Sequence, residues 1–336
     1  MLDSLCAALA ERSAATSRDG PWQSGGFSLL ARSGVLAAFL PADCGGTAAD
    51  EPAILGALTA IATSCLTTAL ALTQWASACR IIAAGTSDVR AARLPPLARG
   101  ESFTTVGISH LTTSRRHLTA PALSATQDGS GWRLTGSCPW VTGADACDTI
   151  VTGAVTDRGT QLFFVVPTDS PGLDIAPPLD MLALSGSRTS SVAFHDVRPA
   201  DVIAPAGGGV RTGGLATTAL ALGSSRAALA QLDHEADGRP ALAPIAEGLR
   251  AETLALSARL ATAASDGIDP EARDRLRGEA NSLVIRAAQA ALTASKGAGF
   301  VAGHPAERLV RESLFYLVWS CPQTVADAML CQLAGL

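Results

Sequence analysis

The chain has 336 residues and a mass of 34.0 kDa, which predicts two or three domains, and its 48% hydrophobic and 16% charged residues suit packed helices and argue against disorder. The net charge is −5 with a pI near 5.5, and no run of arginines is longer than the pair Arg115-Arg116, so a nucleic-acid partner is not expected.

Eight cysteines are spread along the chain with no CxxC pattern and no Cys/His cluster. This spacing predicts neither a metal site nor a disulfide framework, and we expect buried, reduced thiols. The start, MLDSLCAALAERSAA, has an acidic residue where a secretory signal needs a positive flank. We therefore expect a cytoplasmic protein.

The first predicted elements are helices. Residues 27 to about 94 carry Ala, Leu, Ile and Thr at three- and four-residue spacings, with a turn at 40–46. Pro95 and Pro96 are expected to end this helical block. Residues 52–79 carry no charge, but several Ser, Thr and Gln residues interrupt the apolar run, so we predict buried helices and no membrane span.

The character changes over residues 103–199, which are rich in Thr, Ser, Val and Phe and contain the turn signals DGSG and DRG. Four segments alternate or run apolar over the length of a strand: 131–136, 148–155, 160–167 and 189–197. We predict a β-sandwich or β-barrel domain here.

A glycine-rich stretch, AGGGVRTGGL at 206–215, follows the strands. It matches neither a GKS/T phosphate loop nor a dinucleotide fingerprint, so we interpret it as a flexible connection between domains. Helical composition then resumes and predicts a bundle of about four helices, over 215–232, 243–264, 270–295 and 307–320.

Four strings now point to one family: LALTQWASACRIIAAGTSDVRAARLPPLARGE, GWRLTGSCPWVTGADACDTIVTGAV, SGSRTSSVAFHDVRPADVI and KGAGFVAGHPAERLVRESLFY. In this order and at these spacings, the chain resembles the acyl-CoA dehydrogenase family over essentially its whole length. No single string is decisive, but four in the family's order are hard to produce by accident.

The resemblance implies an α+β fold of acyl-CoA dehydrogenase type, with an N-terminal helical domain (1–102), a middle β-barrel or sandwich domain (103–205) and a C-terminal four-helix bundle (206–336). It implies FAD between the β domain and the bundle, and acyl-CoA or a related small molecule as ligand. It also implies a homodimer or homotetramer, because family members commonly use a neighbouring subunit to hold the adenine half of the cofactor.

The family's general base is a glutamate in a Tyr-Glu-Gly-Thr string near the C-terminus. Aligned without gaps from GHPAERLVRE onward, that string falls on Trp319, Ser320, Cys321 and Pro322. The base position is therefore Ser320, which cannot take a proton as a carboxylate does. Some relatives place the base at the start of the first bundle helix, and that position falls near Gly213.

Two groups of residues resemble the family's flavin contacts. Trp140, Val141 and Thr142 match a triplet whose Trp covers the flavin and whose Thr reaches its reactive edge; a tryptophan in the barrel core is the rival interpretation. The family's flavin and pyrophosphate loop is replaced by HLTTSRR at 110–116, where Thr112, Ser114 and Arg116, with Thr113 and Arg115, are candidate phosphate donors. A solvated loop that binds nothing is the alternative.

The contacts that the family makes to the nucleotide half are mostly missing. Its R-x-x-F-G string is replaced by HEADGRPALAPI, in which Arg239 is the remaining candidate. The family's Gln before the Gly-Gly pair falls on Thr293, and the first of those glycines falls on Lys296.

Three hypotheses stay open at this point. The chain is an FAD-dependent acyl-CoA dehydrogenase-like flavoprotein with lost or altered activity, a flavin monooxygenase of the same fold, or a non-catalytic scaffold subunit. The uncharged side chain at position 320 is common to all three.

Overall fold

A computed structural model of the chain describes residues 2–15, 24–112, 120–129, 131–204 and 214–335. It begins with five helices: α1 (Leu2–Ala15), α2 (Ser24–Arg32), α3 (Glu51–Ser64), α4 (Leu66–Ala83) and α5 (Ser87–Arg99). The Asp50 side chain caps α3 by accepting a hydrogen bond from the backbone N–H of Ala53 at 2.9 Å. The uncharged stretch 52–79 thus forms most of α3, which buries one face, and most of α4, which is largely buried.

The prediction that Pro95 and Pro96 end the helical block was wrong, because α5 runs through both prolines to Arg99. Its last turn is held by the buried side chains of Leu94 and Leu97, and it ends at Gly100, which adopts a left-handed conformation with φ +67°. Tertiary burial here outweighs the two backbone hydrogen bonds that the prolines cannot donate.

The middle of the chain is an eight-stranded mixed sheet, and a one-turn helix, α6 (Ser109–Thr112), follows its first strand. The strands are β1 (Thr104–Gly107), β2 (Leu123–Asp128), β3 (Gly131–Val141), β4 (Thr149–Thr156), β5 (Gln161–Pro167), β6 (Leu173–Ile175), β7 (Ser190–Val197) and β8 (Asp201–Ile203). Their order is β6-β7-β3-β2-β4-β5-β8, with β1 parallel to the first half of β4. All four strand predictions are confirmed.

The sheet has two apolar faces, as alternation along β5 illustrates. Phe163 and Val165 pack with the helices, whereas Phe164 and Val166 belong to a separate core inside the β region. The first core extends across the N-terminal helices and the C-terminal bundle. The sheet is therefore anchored to helices on one face and packs on itself on the other.

The C-terminal part contains α7 (Leu215–Asp237), α8 (Ala243–Asp266), α9 (Pro270–Ser295), α10 (Pro305–Ser313) and α11 (Gln323–Ala334). Residues 307–320 do not form the single helix predicted for them: α10 ends at Ser313 and a short 3-10 turn covers Leu314–Leu317. Pro322 disfavours a helical conformation only at Cys321, so it does not account for the end of α10 at Ser313. The α+β fold class is confirmed, and the domain boundaries stay predictions.

Among the described residues, no helix is long and apolar enough to cross a membrane, and no group of His, Cys, Asp or Glu side chains is arranged to hold a metal ion. All eight cysteines are free; six are buried as predicted, whereas Cys6 is half-buried and Cys331 is exposed.

Candidate functional site

Ser320, the predicted base position, lies in the connection between α10 and α11, residues 314–322. Tyr316 anchors this connection: it is fully buried, its hydroxyl lies 2.7 Å from that of Ser224 on α7, and its carbonyl accepts a hydrogen bond from Asn281 Nδ2 at 3.0 Å. Burial raises the pKa of Tyr316 above its ordinary value, so the phenol stays protonated.

Trp319 forms the second anchor. Its ring stacks on Phe315 with centroids 5.1 Å apart and an interplanar angle of 16°. The guanidinium of Arg277, from α9, lies 5.7 Å from the centroid of the Tyr316 ring and 5.8 Å from that of Trp319. Arg277 Nη2 also donates a hydrogen bond to the Trp319 carbonyl at 3.4 Å.

Ser320 follows directly, with a left-handed backbone of φ +45°. Cys321 beside it is buried, and burial raises the pKa of its thiol, so the neutral form is favoured. The chain from Leu314 to Pro322 contains no acidic residue. This connection therefore supplies two neutral groups, a hydroxyl and a thiol, at the position predicted for the base.

The nearest carboxylate before the connection belongs to Glu312. Burial raises the pKa of Glu312, and Arg308 and Arg311 oppose that shift. Arg308 Nε lies 4.0 Å from Glu312 Oε1, and Arg311 pairs with Glu307 and donates to the Leu182 carbonyl at 3.0 Å. These acids thus join an ion-pair network on α10 that also reaches the Leu182 carbonyl of the β region.

The triplet predicted to contact the flavin, residues 140–142, lies at the end of β3 with alternating exposure. Trp140 is 49% exposed, Val141 is buried, and Thr142 is 7% exposed. Trp140 is therefore not a core residue of the barrel. Its ring presents apolar surface to solvent, which a planar ligand can cover.

Thr142 belongs to a chain of hydroxyls. Its Oγ1 lies 3.2 Å from Thr189 Oγ1, which in turn lies 2.8 Å from Ser187 Oγ. All three residues are buried. Since each hydroxyl can both donate and accept, the chain can orient the Thr142 proton toward a ligand or toward Thr189.

The second group of predicted contacts is only partly described. Thr112 is the last residue of α6, which is followed by a gap in the described residues. Thr113, Ser114, Arg115 and Arg116 lie outside the described residues, and so does Gly213.

Arg239, the candidate for the nucleotide half, is bound within its own chain. Its Nη2 donates to Glu235 and to the Ala294 carbonyl near the end of α9. Lys296, which takes the place of a family glycine, adopts φ +52° just after that helix. The structure thus uses Arg239 to close the end of α9 against α7.

Asp233, His234 and Glu235 stand together near the end of α7 as a group of acidic and histidine residues. Arg250 on α8 pairs with Asp233 at 2.5 Å, and His234 is exposed. Both side chains of that pair are more than two fifths exposed, so this cluster carries little energy and no visible chemistry.

Sequence analysis missed Arg277, Asn281, Thr189 and Ser187, which contact the candidate site. One signal for Arg277 was available: it lies at helical spacing from Ala280 and Val284, both buried, on the apolar face of α9. The hydroxyl chain joins β3 to the segment before β7, and no sequence pattern marks such a pairing.

Comparison with known proteins gives a consistent match. The acyl-CoA dehydrogenase N-terminal domain matches residues 3–101, and the acyl-CoA dehydrogenase middle domain matches residues 111–197. The chain is 28% identical over 312 residues to the human mitochondrial short-chain specific acyl-CoA dehydrogenase. The aligned region covers 83% of this chain and 75% of the human protein. It is 26% identical over 179 residues to the probable acyl-CoA dehydrogenase YngJ of Bacillus subtilis, 51% of this chain and about half (47%) of that protein.

Solved structures show the same fold. Butyryl-CoA dehydrogenase from Megasphaera elsdenii superposes with a TM-score of 0.83 at 19% identity, over 98% of this chain and 97% of that one. KijD3, in complex with FMN and a dTDP-linked amino keto sugar, superposes with a TM-score of 0.77 at 22% identity, over 99% and 92%.

Proposed function

The chain belongs to the acyl-CoA dehydrogenase family, and we propose that it is an FAD-binding flavoprotein whose ability to abstract a substrate proton is lost or much reduced. The observation that carries the proposal is that the connection 314–322 contains no acidic residue. The alignment with the family predicts the position of the base within this connection, at Ser320.

The family reaction removes a proton beside the thioester carbonyl while hydride leaves the next carbon. When bound, FAD supplies the hydride acceptor. The protein has to supply the base and hold the ligand. A serine hydroxyl lacks the proton affinity of a carboxylate at neutral pH, and losing a positioned base costs about 10²–10⁴-fold in rate.

Other groups near the connection do not offer a replacement. Glu312 faces Arg308 and Arg311, and the pKa of Cys321 is raised rather than lowered. A thiol becomes a useful base or nucleophile only when its pKa is depressed. Ser320 itself has no histidine or acid within the connection to activate it.

The residues present fit the ring half of FAD better than its nucleotide half. The exposed ring of Trp140 and the hydroxyl of Thr142 lie together at the end of β3, where Trp140 would cover an isoalloxazine face and Thr142 would bind its edge. Thr112, Ser114 and Arg116 would hold phosphate. Arg239, by contrast, is already paired with Glu235 and the Ala294 carbonyl.

Further features of the proposal follow from the family. The ligand is acyl-CoA or a related small molecule, the chain assembles as a homodimer or homotetramer, and its location is cytoplasmic. A non-catalytic scaffold that binds no flavin would have the same fold. Purified protein that binds no flavin would support this alternative.

Arg239 already donates hydrogen bonds to Glu235 and to the Ala294 carbonyl, and this favours a second candidate function, a monooxygenase that uses FMN. FMN lacks the adenylate half whose contacts have changed, and flavin oxygenation needs no carboxylate at position 320. KijD3, whose structure contains FMN, has this fold, although a likeness at 22% identity supports the fold alone.

Cofactor analysis of the purified protein separates these functions. Protein isolated without added flavin is denatured, and the released cofactor is identified as FAD or FMN by chromatography. Stoichiometric FAD supports the first proposal, and FMN supports the second. A colourless protein that takes up neither cofactor in excess would contradict both and leave the scaffold.

A further inference from the structure

One face of α9 holds the connection 314–322 and the start of α11. Asp274, Arg277 and Asn281 follow each other at helical spacing, so they lie on the same side of the helix. Asp274 accepts a hydrogen bond from Thr324 at 2.8 Å, while Arg277 and Asn281 donate to the carbonyls of residues 319 and 316. Each contact fixes one point of a segment that runs back along α9.

Arg277 is the unusual member of this face. It is 1% exposed, which is rare for an arginine without a carboxylate partner. No carboxylate among the described residues lies within ion-pair distance of it, and its Nε and Nη1 atoms are buried without a hydrogen-bond partner. Burial lowers its pKa to about 10, so the guanidinium is charged at neutral pH.

The surroundings compensate this charge only in part. The rings of Tyr316 and Trp319 lie within 6 Å of the guanidinium, and their faces attract a cation. They do not replace in-plane acceptors for the N–H groups. The one hydrogen bond of Arg277 is long, at 3.4 Å to the Trp319 carbonyl.

The free donors have the pattern that a carboxylate recognises. A guanidinium has two edges at which two N–H groups point in parallel, and each edge includes one of the two unpartnered nitrogens. A carboxylate accepts two such bonds at once, with far better geometry than a single carbonyl. Buried unpaired donors on a charged group are costly, so the site favours an anionic occupant.

We propose that Arg277 is the centre of a small-anion site beneath the connection 314–322, suited to one carboxylate. The Trp319 ring lies 5.8 Å from the guanidinium, and the neighbouring Val318 is 73% exposed, so the site is close to the protein surface. An anion bound here adds a negative charge close to the Trp319 carbonyl, which precedes Ser320. The proposal does not depend on flavin binding.

The test uses sodium acetate as the probe, titrated into flavin-free or flavin-loaded full-length protein in a low-salt neutral buffer. Thermal unfolding and tryptophan fluorescence are followed for the wild type, Arg277→Met and Arg286→Met. Arg286 is the matched control, because it lies on the same helix, is largely exposed and pairs with Glu252. A ligand that binds only the folded state raises the unfolding temperature in a saturable manner.

We expect saturable stabilisation by several degrees in the wild type and in Arg286→Met, and none in Arg277→Met. Equal responses in all three proteins, or no saturable response in the wild type, would overturn the proposal. If Arg277→Met does not fold, wild-type crystals soaked in sodium bromide provide the second measurement. An anomalous peak within hydrogen-bond distance of Arg277 supports the site, and its absence at a fully diffusible bromide concentration refutes it.

Discussion

Replacing Ser320 with glutamate is predicted to restore proton abstraction. The change places a carboxylate on the connection 314–322 without altering the anchors at Tyr316 and Trp319. The left-handed backbone at position 320 already accommodates a residue with a Cβ atom, so glutamate adds little strain beyond that of serine. The buried charge of Arg277, which hydrogen-bonds to the adjacent carbonyl, favours the ionised form of the new side chain.

The expected gain is about 10²–10⁴-fold in the rate of the proton-transfer step, the usual contribution of a positioned general base. At 1.36 kcal/mol for each factor of ten, this equals about 3–5 kcal/mol of barrier. The assay mixes flavin-loaded protein with butyryl-CoA under anaerobic conditions and follows loss of the visible flavin absorbance in a stopped-flow instrument.

Ser320→Gln is the matched control, since it has the size and shape of glutamate but cannot ionise near neutral pH. We expect it to bleach no faster than the wild type. If the glutamine variant gains as much as the glutamate variant, the effect is steric and the reasoning is wrong. If neither gains while both bind the acyl-CoA and the flavin, position 320 does not face the reacting carbon.

Four further predictions concern the fold and the ring site. Tyr316→Phe leaves the Ser224 hydroxyl without its partner and should lower the free energy of unfolding by about 1–3 kcal/mol, whereas adding Ser224→Ala should recover part of that loss in urea titrations. Gly223→Ala places a Cβ 2.5 Å from the Thr59 carbonyl and should lower the free energy of unfolding by about 1–3 kcal/mol. Gly278→Ala is the control: its Cβ meets no atom closer than 4.0 Å, and it should raise the free energy of unfolding by about 0.5–1 kcal/mol. Equal effects of the two changes would contradict the close contact between α3 and α7. Trp140→Ala should weaken flavin binding in equilibrium dialysis with little change in melting temperature, and a protein that loses stability but keeps its flavin would contradict the assignment. The Asp269 carboxylate accepts hydrogen bonds from the backbone of α9, which lowers its pKa. The stabilisation from this cap is therefore present above the unfolded pKa of about 4 and is lost as the pH falls through the lower folded pKa. The melting temperatures of the wild type and Asp269→Asn should differ near neutral pH and converge in acid.

Four of the eight strands described and the helical regions followed from local pattern, whereas β1, β2, β6 and β8 were not predicted. The segments around β3, β4, β5 and β7 alternate or run apolar, and the caps Asp50 and Asp269 stand where α3 and α9 begin. Pro95 and Pro96 misled the prediction, because burial of Leu94 and Leu97 is a tertiary effect that local propensity does not contain. The break at Ser313 was missed for a similar reason, although Pro322 marked the end of any helix through Cys321.

The site was predictable only where it resembles a family motif. Trp140, Thr142 and Ser320 could be located from neighbouring letters, and the structure adds that Trp140 is exposed. The partners of Thr142 and Tyr316 come from segments 47 and 92 residues away, and no single sequence reveals such pairings. Arg239 could be identified from the sequence as a candidate contact for the nucleotide half of the cofactor. Only the structure reveals that its guanidinium already donates hydrogen bonds to Glu235 and to the Ala294 carbonyl.

The central claim is that the chain carries no working base at position 320. Hydrogen exchange tests it most directly: flavin-loaded wild type is incubated with butyryl-CoA in D₂O, and deuterium at the carbon next to the thioester is measured by mass spectrometry, with Ser320→Glu in parallel. We predict incorporation in the glutamate variant and none above the protein-free rate in the wild type. Deuterium incorporation by the wild type at the rate of the glutamate variant would contradict the claim.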